Sequence, residues 1–132
     1  GYGVLDYRLR IDDRVVVRER TNALHAEPPN PGVDLVVIDL GWTRQCHAIP
    51  AALPWLASGG TIVTLVKPHY EAPRDKGKQR TKLTEDEALA ITDGVIAEAP
   101  AWGVEVLGVT RSPIEGGKGG NVEFLARMRG VM

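Results

Sequence analysis

Cysteine is nearly missing from this chain. The single thiol, Cys46, excludes an intramolecular disulfide and leaves no basis for a cysteine-ligated metal. That usage suits a reducing, cytoplasmic compartment. Charge of one sign is lacking too. Sixteen Lys and Arg face 17 Asp and Glu, a formal net charge of −1, so no global field draws the protein to nucleic acid or membrane. Any such attraction must come from a local patch. No apolar run approaches the roughly 20 residues that span a bilayer, and no signal peptide is visible. There is no internal repeat. His25, His47 and His69 lack metal-pair spacing, and Ser58 and Ser112 sit in loops with no histidine pattern, so neither a metal site nor a hydrolase triad is expected. An opening methionine is also missing from "GYGVLDYRLR", and the expectation is a piece of a longer protein.

The 132 residues suffice for one compact domain, and 43% hydrophobic with 25% charged is ordinary globular composition. "RVVVRERT" (14–21) has a β-branched centre and reads as a strand. "DLVVIDL" (34–40) and "TIVTLVK" (61–67) are nearly continuous apolar runs, as in parallel strands covered on both faces. "VEVLGVT" (104–110) is a further run, and "NVEFLARMR" (121–129) alternates like an edge strand. Thr84 and Glu87 form a capping box for a helix reaching Trp102, where Gly103 stops it. A second helix is expected over 45–57, weakened by Pro50 and Pro54 and ended by Ser58-Gly59-Gly60. "EPPNPG" (27–32) and "SPIEGGKGGN" (112–121) are loops. Alternating strands and helices predict a right-handed α/β sheet, whose ligands bind beyond the carboxyl ends of the strands.

Asp39 and Lys67 both stand at such ends. Their plain readings are a turn-capping carboxylate and a snorkelling ammonium. Pro68 holds Lys67 extended. Glu123 lies inside the final strand and faces solvent if Val122 and Phe124 face the core, but can meet Lys67 if that strand ends near the same mouth. Together the three make an acid–lysine–acid set that can clamp a hydroxyl or accept its proton. A lysine has a reference pKa of about 10.4, which must fall for base catalysis near neutral pH. Burial or a second lysine lowers it, whereas flanking carboxylates raise it. "RDKGKQRTK" (74–82) carries five positive residues and one negative. It reads as a solvated loop or, through Arg74, Lys76, Lys78, Arg80 and Lys82, as a phosphate-backbone contact. "EGGKGGN" (115–121) is not a phosphate-loop pattern. Trp42 and Tyr70 can stack on a base near this mouth or simply pack.

"ERTNA", "DLVVIDL", "LVKPHYE" and "SPIEGGKGGNVEFL" follow one another as in a known family. The chain resembles the later part of the TlyA-type members of the FtsJ-like ribosomal RNA methyltransferases. The resemblance covers most of the chain. It implies an α/β, Rossmann-like methyltransferase sheet, mostly parallel with an antiparallel last strand. Residues 1–132 would be the C-terminal two-thirds of the domain, lacking its first two strands and the glycine-rich cofactor loop.

It also implies a cytoplasmic enzyme using S-adenosylmethionine to methylate a ribose 2′-hydroxyl of ribosomal RNA, with the RNA or a ribosomal subunit as partner. In the family's Lys-Asp-Lys-Glu tetrad, Asp39 matches the aspartate, Lys67 the second lysine and Glu123 the glutamate. The first lysine, which would depress the second by like-charge repulsion, precedes Gly1 on this alignment. Thr21, Asn22 and Asp39 would lie by the cofactor. "GWTRQCHAIP" departs from the family after Asp39, with Trp42, Arg44 and Gln45 unusual there. The absent strands would leave a gap with exposed edges, so the isolated chain is expected to be inactive or to pair with another copy as a homodimer. The alternatives are a non-catalytic RNA-binding or assembly fragment and a hemolysin-like protein, the latter supported by no amphipathic or spanning segment in the sequence.

Overall fold

A computed structural model describes residues 2–73, 82–117 and 120–131. After a one-turn helix α1 (Tyr7–Arg10), the chain builds β1 (Val33–Ile38), α2 (Gln45–Ala52), β2 (Leu56–Val66), α3 (Pro68–Glu71), α4 (Glu85–Glu98), β3 (Val104–Arg111) and β4 (Phe124–Gly130). The sheet order is β1-β2-β4-β3. β1 and β2 are parallel, and β4 runs antiparallel to both β2 and β3. Three strands therefore point one way and the last points back, as the family resemblance implies.

The core lies on one face of this sheet. Ile62, Thr64 and Val66 of β2 are fully buried and pair across to Met128, Ala126 and Phe124 of β4. Residues directly opposite in a ladder share a face, so these six form one buried surface, apolar except for the Thr64 hydroxyl. Ala48, Ile49 and Ala52 of α2 and Ala88, Val95 and Ala99 from the α4 region belong to the same buried cluster. The opposite face is barer: Leu35 and Val37 of β1 are 54% and 68% exposed.

Helix α4 starts as the sequence predicts. Glu87 N–H donates to Thr84 Oγ1 at 3.1 Å, and Thr84 N–H donates to Glu87 Oε1 at 3.0 Å. Such a cap is worth about 1 kcal/mol. The α-helix stops at Glu98 rather than Trp102, because Pro100 cannot donate and the end tightens into a 3-10 turn, Ala99–Trp102. Gly103 then takes φ 88°, a left-handed stop that suits glycine.

Three expectations need correction. Residues 14–21 form no strand, and Val16 is 81% exposed. Among the described residues no strand offers that run a ladder, and β propensity without a partner is not enough. The second helix ends at Ala52, with Pro54 in the 3-10 turn Leu53–Trp55; Ser58-Gly59-Gly60 does not stop it but is absorbed into the irregular start of β2. The last strand starts at Phe124, so Glu123 stands just before it and not inside it, and it is an interior strand between β2 and β3, not an edge.

Candidate active site at the carboxyl ends of the strands

Asp39 is the first residue after β1, and Lys67 the first after β2. Parallel neighbours end on the same side, so the topology alone brings the two side chains together. Lys67 Nζ lies 2.6 Å from Asp39 Oδ1. The lysine side chain is 16% exposed and the aspartate 67%, so the pair stands at the rim, with the ammonium on the inner side.

β4 runs the other way and begins where β2 ends: Val66 pairs with Phe124. Glu123 therefore enters at the same mouth. It is 6% exposed, although Phe124 beside it is also buried. Strict alternation would have sent one of them outward; the chain is not yet in the ladder at Glu123, so both turn inward. Burial pushes the Glu123 carboxyl above its usual range, Lys67 pulls it down, and Asp39 pushes it up. The three residues singled out in the sequence thus form one electrostatic cluster.

A glycine makes room for it. A Cβ on Gly116 would sit 2.4 Å from Glu123 Cδ, inside any real contact distance. Gly116 N–H donates to Asn121 C=O at 2.8 Å, and Asn121 N–H returns the bond at 3.1 Å. Ser112 N–H donates to Glu123 C=O at 2.8 Å. The β3–β4 connection is thus a hairpin tip lying directly against the carboxylate. Arg111 anchors its base to α4 through Glu85 at 2.9 Å.

Aromatic rings border the cluster. Tyr70 packs against Trp42 with centroids 4.9 Å apart and against His69 at 4.3 Å. Lys67 Nζ lies 5.9 Å from the Tyr70 centroid. Trp42 has φ 58°, a conformation few bulky residues adopt, and its side chain is exposed.

Thr21 and Asp39 line one cavity of about 330 Å³, with Leu24, Val36, Leu40 and Trp55. Asn22 is not among its lining residues; its Oδ1 accepts from Leu24 N–H at 3.0 Å, a local turn. Thr21 Oγ1 donates to Glu19 C=O at 3.0 Å. Arg74, Lys76, Lys78 and Arg80 lie outside the described residues. Lys82 is exposed, and its Nζ and Glu115 Oε2 flank Gly120 in the hairpin tip, 3.3 and 3.0 Å from where a Cβ would be. Among the described residues no group of His, Cys, Asp and Glu is placed to hold a metal.

Sequence reasoning gave no role to Gln45, Glu71 or Gly116. Gln45 and Glu71 are hydrogen-bonded to each other across the elements that carry Asp39 and Lys67. A polar residue on an otherwise apolar helix face was the available signal for Gln45. Nothing in the sequence says which glycine of "EGGKGGN" lies under the carboxylate.

No family model matches the chain. It is 36% identical, over 98% of its length, to the 16S/23S rRNA (cytidine-2′-O)-methyltransferase TlyA of Mycobacterium tuberculosis. The chain is a relative of the TlyA-type proteins. It is also 32% identical, over 96% of its length, to Hemolysin A of Brachyspira hyodysenteriae. A solved structure described as "Putative hemolysin from Streptococcus thermophilus" superposes with a TM-score of 0.86 at 35% identity over 99% of the chain. The chain spans about half of each: 49% of the first, 54% of the second and 48% of the third. Among the described residues no helix is long and apolar enough to cross a membrane.

Proposed function

We propose that this chain carries the acceptor half of the active site of an S-adenosylmethionine-dependent rRNA ribose 2′-O-methyltransferase of the FtsJ-like kind. One observation carries the reading: Asp39, Lys67 and Glu123, far apart in sequence, converge where three strands meet at one end of the sheet. The name of the Mycobacterium tuberculosis relative points to the same chemistry.

The residues present fit part of the cofactor. The cavity beside Asp39 is mostly apolar, which suits a purine, and Thr21 adds a hydroxyl at its edge. The described residues offer no glycine-rich turn there for the amino-acid end. When bound, S-adenosylmethionine supplies an electrophilic methyl group. The chain's own work is on the acceptor. Lys67, oriented by Asp39, holds the ribose 2′-oxygen, and the Lys67–Glu123 pair takes up the hydroxyl proton as that oxygen gains its methyl carbon. Trp42 and Tyr70 lie where the target base can stack, and Arg74, Lys76, Lys78, Arg80 and Lys82 contact the phosphate backbone.

The test is Lys67→Ala in the protein as its gene encodes it. Transfer of labelled methyl to rRNA falls by about a thousandfold, while cofactor affinity by calorimetry stays close to wild type. Retained turnover defeats the reading.

A second reading concerns the 132-residue chain by itself, and the state of β1 favours it. Among the described residues β1 is an edge of the sheet with no strand on its outer side, and Leu35 and Val37 stand exposed on it. The isolated chain is then a catalytically silent RNA-binding or assembly unit, or pairs with a second copy through that edge. Calorimetry decides the first point: micromolar S-adenosylmethionine binding by the isolated chain sinks it. Sedimentation shows whether the chain dimerises.

A further inference from the structure

Gln45 opens α2 and is 3% exposed. A buried amide costs free energy unless its polar atoms are satisfied. Here each has a partner, and all of the partners lie around Lys67. Gln45 Nε2 donates to Leu65 C=O at 3.2 Å, and its Oε1 accepts from Thr64 Oγ1 at 2.8 Å. Its backbone N–H donates to Glu71 Oε1 at 2.7 Å. Arg44 Nη2 adds a bond to Glu71 C=O at 2.9 Å. One residue thus grips the chain just before Lys67, in β2, and just after it, in α3. The same residue ends the short connection that leaves Asp39.

We propose that Gln45 and Glu71 are positioning residues, a clamp that fixes the strand end bearing Lys67 against the connection bearing Asp39. The clamp is built of polar atoms because direction matters as well as packing. Leucine would fill the space at Gln45 but could not hold Leu65 C=O and Thr64 at a set angle. Glu71 does for α2 what an N-cap side chain does, but from another element. Arg44, whose guanidinium Nη2 donates to the Glu71 carbonyl, closes the link from the second side. Tyr70 N–H donates to Lys67 C=O at 2.9 Å, so the turn between Lys67 and Glu71 is itself tight and passes the constraint on.

The kinetic consequence rests on the function proposed above; the geometric one does not. The experiment reads both in the encoded protein. The first readout is the Lys67 side-chain NMR signal, with Asp39→Asn marking a lysine that has lost its ionic partner. Glu71→Ala and Gln45→Leu move that signal toward the Asp39→Asn position, while Glu71→Gln, which keeps an acceptor oxygen, leaves it near wild type. The second is steady-state methyl transfer. Glu71→Ala lowers kcat about tenfold with KM for RNA unchanged within about twofold, and Glu71→Gln restores most of it. Should Glu71→Ala fail to fold, Thr64→Val removes one bond of the clamp at nearly constant volume and shifts the Lys67 signal the same way. An unmoved Lys67 signal in folded Glu71→Ala or in Thr64→Val overturns the proposal. If the wild type transfers no methyl group, the function fails while the Lys67 signal still decides the clamp.

Discussion

Two β-branched runs meet opposite fates in this molecule. "RVVVRERT" (14–21) stays irregular, with Val16 81% exposed, while "TIVTLV" (61–66) forms most of β2, with Ile62 and Val66 fully buried. Both have β-branched centres, but four of the eight residues at 14–21 are charged and none of those at 61–66 is. Their neighbours differ too: β2 lies between β1 and β4, whereas residues 14–21 have no ladder partner among the described residues. The ties around the first run are of another kind. Asp12 pairs with Arg14 two residues away, Arg10 with Glu19, and Arg18 stacks on Trp55 at 5.3 Å. The uncharged run is laid into a ladder, the charged one is held by ion pairs and a cation–π contact, and the site sits on the paired region.

The two runs differ most in what they contribute to function. Lys67→Ala, at the end of the paired run, abolishes nearly all methyl transfer, whereas Thr21→Ala, at the end of the unpaired one, changes cofactor affinity by about threefold or less, one hydroxyl bond at a partly open cavity. A Thr21 effect as large as that of Lys67 would mean that the first run is as well organised as the second in the working protein. Stability is next. Ile62→Ala removes buried branched carbon and costs about 2–5 kcal/mol, whereas Val16→Ala falls within about 0.5 kcal/mol. Denaturant titration of both variants checks this. A costly Val16→Ala shows that residues 14–21 find a partner in solution.

How much of this was legible beforehand follows from the same contrast. Asp39 and Lys67 could be placed from sequence because apolar runs announce strands, and α/β sheets keep their sites at one end. The capping box of α4 was legible because it is local. Residues 14–21 were misread because nothing in a run shows whether its partner is there. The orientation of Glu123 was not decidable either. It depended on where β4 begins, and that is set by the hairpin tip and by Gly116. Gln45 stands out in the sequence as unusual, but its role is hidden there because its partners, Thr64, Leu65 and Glu71, are remote in sequence.

Gly116→Ala comes third. The new methyl must displace the Glu123 carboxylate or the hairpin tip, since the carboxyl atoms lie at 2.4–2.6 Å from it. Methyl transfer falls about tenfold or more, as expected for a misplaced group at a reacting centre, and the loss follows kcat. An equivalent change at Gly3, where a Cβ meets nothing within 4 Å and the cost is local strain at φ 69°, leaves the rate alone. Equal effects at the two glycines would erase the distinction between the regions.

The smallest effect concerns Glu123 itself, and its sign is fixed by the environment. Burial is the largest influence on this carboxyl and raises it, Lys67 opposes, and Asp39 adds to the rise. A carboxyl whose folded value lies above its unfolded value binds its proton more tightly in the native state. It favours folding most below the usual glutamate value of 4.5, and that contribution is lost as pH rises through the folded value. Glu123→Gln stays neutral at every pH. Relative to wild type it therefore gains stability on going from acid toward neutral pH, while methyl transfer falls. Asp12, by contrast, is paired locally with Arg14, and its carboxyl is held below the usual range, so its linkage runs the other way: Asp12→Asn loses stability relative to wild type as pH rises. Denaturant midpoints of the two variants, measured from acid to neutral pH, should diverge in opposite directions. Parallel curves would show that Glu123 is not buried against Lys67 and Asp39, and that the acid–lysine–acid set does not hold together in solution.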